Sequence, residues 1–157
     1  MKRSYALRTV IMAWLVAGIL DITSAVVIAG IKGTGSIRML QGITSGLIGQ
    51  RSFQGGLATA ACGLVIHFLI ALIVASIFYL ASRRIAFLTN HAVVSGFLYG
   101  IIVYLFMYWV VIRFVFPNAH PSVSRDVTAV LVHMFLIGLP ISLIISHCSK
   151  TQALNSK

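Results

Sequence analysis

Four stretches of this chain run for some twenty residues or more with almost no charge, and nothing else in the sequence constrains its fold as strongly. They cover residues 9–31, 57–81, 92–116 and 127–145. About twenty apolar residues in a helix span the ~30 Å hydrocarbon core of a bilayer. Inside that core each backbone N–H and C=O needs a partner within the protein, which a helix supplies along its own length. The chain is therefore expected to be an all-α membrane protein. It reads as a four-transmembrane-helix bundle over residues 1–157, one integral domain with an interfacial amphipathic helix between the first and second spans.

Composition excludes the soluble alternative. Hydrophobic residues make up 59% and charged residues 9%, with a mean hydropathy of +1.02, whereas about a quarter of a soluble domain is charged. A net charge of +10 in a soluble protein would suggest nucleic acid. Here the twelve Lys and Arg gather at the ends of the apolar runs. That is the pattern of topology signals and headgroup contacts, so the expected partner is the lipid bilayer and not DNA or RNA. Cys62 and Cys148 fall near opposite membrane faces, far beyond the ~7 Å Cα separation a disulfide tolerates, and are expected as free thiols. Val27 and Ala29 before Gly30 could pass for a signal-peptide cleavage site. The apolar run before them is longer than a usual signal core and contains Asp21, which favours a retained span.

Residues 32–56 are too polar and glycine-rich to span. Within them, Thr34, Gly35 and Ser36 offer a helix start and Gly49 a stop. Ile37, Met39, Leu40, Ile43, Leu47 and Ile48 fall on one side of a wheel, opposite Arg38, Gly42, Gly46 and Gly49. An amphipathic helix over about 36–49 follows, lying at the interface or dipping into the bundle mouth.

Ser82, Arg83 and Arg84 close the second span, and a short turn through Asn90 and His91 leads to the third. Trp109, Phe114 and Phe116 suit an interfacial aromatic belt at its far end. Pro117, Asn118, His120 and Pro121 make a turn that cannot continue the helix. Asp126 complements the dipole at the start of the fourth span, which Gly138 and Pro140 should bend, and the tail from Ser146 is expected to fray. An even number of spans puts both termini on one side. Cytoplasmic termini place Lys2, Arg3, Arg8, Arg83, Arg84, Lys150 and Lys157 inside, against Lys32, Arg38, Arg51, Arg113 and Arg125 outside. This narrow positive-inside margin points to a multi-pass inner (cytoplasmic) membrane protein with both termini cytoplasmic.

Asp21 is the only acid in any of the long apolar runs. Every fourth residue around it gives Ala13, Ala17, Asp21, Ala25 and Ala29, a stripe of small residues with the carboxylate at its centre. The same spacing gives Gly63, His67, Ala71, Ala75 and Tyr79 in the second span. It gives Ala92, Gly96, Gly100, Tyr104 and Tyr108 in the third. The first two faces are expected to form the organising contact. At ~1.5 Å per residue, Asp21, His67, Tyr104 and His133 all come out about 15–20 Å from the inner side. A carboxylate alone at that depth costs some 2.5 kcal/mol or more, so Asp21 needs a proton, a cation or a donor, and His67 is the evident partner. Thr23 and Ser24 could bond back to their helix or line a small polar pocket.

The central network Asp21, His67, Tyr104 and His133 suggests binding or conduction of protons, small cations or small polar solutes. The alternative is a structural or assembly subunit, as a homo-oligomer or in a larger membrane complex, whose polar centre only sets helix register. A third reading is haem ligated by His67 and His133, against which the small-residue stripes argue for close packing. Asp21, His67 and His133 are also conceivable metal ligands, without a local spacing motif, so no cofactor is expected. His91, His120 and His147 lie at edges or in loops, as solvated imidazoles do. No phosphate loop, nucleophile elbow or zinc-protease helix is present, and the two acids stand about half a bilayer apart, so no enzyme activity is expected.

Leu40, Gln41 and Gly42, then Ser45, Gly46 and Leu47, then Gly55 and Gly56, and finally Gly63, Leu64, His67 and Phe68 form a run of short glycine-rich motifs. In these the chain resembles small bacterial four-span inner-membrane proteins of no established activity, over a stretch from about Gly18 into the third span. The resemblance implies a bacterial inner-membrane setting and marks Asp21 and His67 for testing.

Overall fold

The computed structural model describes residues 2–112 and 123–154, all helices and short connections. In chain order these are α1 (Lys2–Ile31), α2 (Ser36–Ile48), a 3₁₀ segment (Gly49–Gln54), α3 (Gly56–Ser82), α4 (Phe87–Asn90) and α5 (Ala92–Phe106). After them come a π-helical continuation (Met107–Ile112), α6 (Val123–Val132), a π-helical segment (His133–Gly138) and α7 (Leu139–Leu154). Four helices are long and apolar enough to cross a membrane: Tyr5–Ile31, Gly56–Ser82, Ala92–Trp109 and Asp126–Gln152. The chain is thus an all-α, multi-pass membrane protein. Arg113, Phe114, Phe116 and the turn at Pro117, Asn118, His120 and Pro121 lie outside the described residues, as do Lys157 and the side chains of Lys2, Arg3 and Arg125.

α1 packs between α3 and the fourth span, and α5 packs against the fourth span on its other side. Tyr99 of α5 closes the ring: its hydroxyl donates to the Val74 carbonyl at 2.7 Å, and its ring meets Phe78 edge-on with centroids 4.9 Å apart. The core lies toward the end of the bundle that carries the termini, where Ala13, Ala17, Ala75, Phe78, Ile141 and Ile145 are all at most 1% exposed. Lipid gives apolar side chains no reason to leave it, so packing of small residues and interhelical hydrogen bonds must hold such a bundle. Both are present. Ser142 and Ser146 donate to the Ala92 and Thr89 carbonyls, each at 2.6 Å, and Tyr5 donates to the Cys148 carbonyl at 2.9 Å.

Small residues decide where helices approach closely. A Cβ on Gly96 would lie 2.8 Å from Leu139 Cα, and one on Gly100 2.5 Å from the His133 carbonyl oxygen. A Cβ on Gly138 would strike the Gly96 carbonyl. Gly96, Gly100 and Gly138 therefore form one backbone-to-backbone crossing. The segment before it is widened: Leu139 N–H bonds to the Met134 carbonyl, five residues back. Pro140 explains this, because it has no N–H to give Leu136 and its ring would press on that carbonyl in a regular α-helix.

Three expectations are corrected. The tail from Ser146 is not frayed at once, since α7 continues to Leu154 and Ser146 is buried. Gly63 meets α2, where its Cβ would strike the Leu40 carbonyl, and does not form part of the α1 contact. On α1 the residue under α3 is Gly18, one position off the predicted stripe, with a Cβ there only 2.8 Å from the Phe68 ring. Ala17 is buried as expected of a packing residue, while Ala25 and Ala71 are half-buried.

α1 ends where Gly33 takes a left-handed φ of 71°. Its N–H bonds to Gly30 and that of Thr34 to Ala29, at 3.0 and 2.9 Å, which closes the helix in a Schellman motif. The connecting helix α2 has an unexpected polarity. Its buried residues are Gln41, Thr44 and Ser45, while Ile37, Leu47 and Ile48 are exposed. Polar side chains facing protein and apolar ones facing outward suit a lipid surrounding.

Candidate functional site

Halfway along the spans, α1, α3, α5 and the fourth span leave a partly open cavity of about 120 Å³, room for several waters. Asp21, His67 and His133 line it within apolar walls that include Ile70, Val74, Val103, Ile137 and Ile141. Both imidazoles lie within electrostatic reach of the Asp21 carboxylate. The fourth predicted member, Tyr104, does not line this cavity. It is buried behind His133, with ring centroids 5.8 Å apart, and stacks on Tyr108.

Each element places its side chain for a local reason. Gly18 and Asp21 are three residues apart on α1 and so share a face. The missing Cβ at Gly18 lets α3 close in, and Trp14 Nε1–H fastens the contact by donating to the Phe68 carbonyl at 2.7 Å. His67 Nε2 then reaches the Gly18 carbonyl at 3.0 Å, and its Nδ1 stands 3.8 Å from Asp21 Oδ2. His133 opens the π-helical segment, and its Nδ1 reaches the Ala129 carbonyl at 2.8 Å. Ser24 Oγ–H donates to the Asp21 backbone carbonyl at 2.8 Å, and Thr23 is exposed, so neither builds a wall of the cavity.

The carbonyl partners determine the tautomers. A carbonyl can only accept, so His67 carries its proton on Nε2 and His133 on Nδ1. In its neutral form His67 therefore turns an Nδ1 lone pair toward a carboxylate, two acceptors face to face. Their 3.8 Å separation exceeds a hydrogen bond. What suits the gap is a proton on either group, or a small cationic or hydrogen-bond-donating guest between them. Among the described residues Asp21 and His67 are the single acid and base within ion-pair distance of one another. The described Lys and Arg side chains are all exposed, away from this centre.

The described residues hold no group of three His, Cys, Asp or Glu side chains placed to share one metal ion. A porphyrin is far larger than the cavity. His91 is exposed and stacked on Phe87, and His147 is exposed. Cys62 and Cys148 are free thiols.

Besides the apolar walls, several contributors to the site lay outside the sequence expectation. They are the Gly18 carbonyl, Trp14, Met107 and Ile43, the last reaching the cavity from α2. Gly18, three residues before Asp21, was the one with a readable signal. Comparison with family models, curated protein sequences and solved structures finds no match to this chain.

Proposed function

We propose that this membrane protein binds and passes protons or small monovalent cations at the Asp21–His67–His133 cavity. The observation that carries the reading is the face-to-face placement of the Asp21 carboxylate and the His67 Nδ1 lone pair, each histidine tautomer being tied to a backbone carbonyl. A pure packing network would satisfy its polar groups among themselves. Here acceptor capacity is turned toward a space large enough for several waters. The volume disfavours larger polar solutes and haem. We place both termini in the cytoplasm, by the excess of basic residues that the sequence puts on that side; a bacterial cell is what the resemblance implies.

Purified protein in liposomes loaded with a pH-sensitive dye tests the reading. An imposed proton or potassium gradient should collapse faster than in empty liposomes, and Asp21→Asn should abolish the difference while eluting as a folded species. If wild type and Asp21→Asn are equally inert, the polar centre serves packing and the protein is a structural or assembly subunit.

A further inference from the structure

The two ends of the cavity are built differently. Toward the termini its floor is the dry core, with Ala17 and Ile141 belonging to both, and Tyr99 ties α5 to α3 across that level. Toward the other end the described wall contains Ile43 of α2 and Met107, the first residue of the π-helical continuation after α5. α2 crosses no membrane and contributes this one side chain to the cavity.

How α2 is attached matters. The described chain has four residues with positive φ, all glycines: Gly33 (71°), Gly35 (75°), Gly49 (64°) and Gly56 (57°). Gly33 closes α1 and Gly35 immediately precedes α2, while Gly49 opens the 3₁₀ segment after it and Gly56 opens α3. Glycine can leave such conformations at little steric cost, so both attachments of α2 are potential pivots. Its seat on α3 is polar. Gln41 Nε2–H donates to the Gly56 carbonyl at 2.9 Å and Thr44 Oγ1–H to the Thr59 carbonyl at 2.6 Å, while bare Gly63 admits the Leu40 carbonyl. Leu47 and Ile37, by contrast, face away from the bundle. Lifting α2 would break these hydrogen bonds and expose the buried Gln41, Thr44 and Ser45 face together with the close Leu40–Gly63 approach, but it would leave intact the bundle core, to which α2 contributes no residue.

We infer that α2 is a hinged lid, and that the Asp21 cavity exchanges its contents with the face opposite the termini when Ile43 lifts away. This rests on the cavity being the binding site, but lid movement can be read without any transport.

The test uses the full chain in oriented proteoliposomes, with Cys62→Ala and Cys148→Ala as background and a single Ile43→Cys. A membrane-impermeant maleimide is added to one face or the other. Labelling is expected only from the face bearing Lys32 and Arg38. Thr44→Val, which removes one latch, should speed it by about 3-fold and at most about 18-fold, as expected for one hydrogen bond between membrane helices, while Thr44→Ser should restore the slow rate. Gln41→Leu, acting on the second latch, should also accelerate labelling and serves if Thr44→Val does not fold. Equal labelling from both faces, or a rate indifferent to both latch variants, would overturn the lid. A lid that responds in a protein whose flux ignores Asp21→Asn would instead leave the lid standing and remove the transport reading.

Discussion

His67 holds the Gly18 carbonyl with one ring nitrogen and stands 3.8 Å from Asp21 Oδ2 with the other. Two residues of one helix and one of another thus fix both the orientation and the tautomer of the imidazole. His133 is fixed in the opposite sense by the Ala129 carbonyl.

This opposition can be observed directly. Nitrogen-15 NMR of histidine-labelled protein, at a pH where both imidazoles are neutral, should show the Nε2–H form at His67 and the Nδ1–H form at His133. His67→Ala and His133→Ala samples assign the signals. Finding the same tautomer at both positions would remove the basis for facing acceptors.

Asp21→Asn keeps the size of the side chain and removes its capacity to carry charge. Gradient-driven flux is expected to fall at least tenfold, about 1.4 kcal/mol in barrier terms. Stability in detergent should hold or rise, because an ionisable group at mid-bilayer depth is costly. Thermal unfolding followed by circular dichroism checks the second part.

The glycine crossing should be intolerant in a position-specific way. Gly138→Ala drives a Cβ into the Gly96 carbonyl and the Gly100 backbone, which cannot swing aside as a flexible side chain would. A loss of about 1–3 kcal/mol is expected. Gly42→Ala is the control. It lies in α2 with nothing within 4 Å of the new methyl, and it should be neutral or stabilise by up to about 1 kcal/mol. Denaturant titration of both variants reads the contrast.

Trp14→Phe and Tyr99→Phe each remove one interhelical donor while keeping the ring. Each should cost about 0.6 kcal/mol, the average for side-chain hydrogen bonds between membrane helices, and at most about 1.7 kcal/mol. The same unfolding measurement applies. Additive losses in the double variant are expected, since the two bonds anchor α3 to different helices, α1 and α5.

The sequence by itself determined that this chain is a bundle of four membrane-crossing helices, because length and apolarity alone decide whether a segment can satisfy its backbone inside lipid. It also determined which residues could carry chemistry at depth, since Asp21, His67 and His133 stand out in runs that otherwise lack charge. Helical spacing was enough to place Asp21 and His67 at one level on α1 and α3. It was not enough to say which neighbour each small residue meets. Gly63 receives α2, and Gly18, outside the fourfold stripe, receives His67. Periodicity gives a direction around one helix axis, whereas the partner depends on the rotation and depth of a second helix. Those are set by packing across the whole bundle. Tertiary structure alone decided that Tyr104 stands behind His133 and not in the cavity. It also turned α2 with its polar face inward, because a polar side chain gains more from the Gly56 and Thr59 carbonyls of α3 than from surrounding lipid.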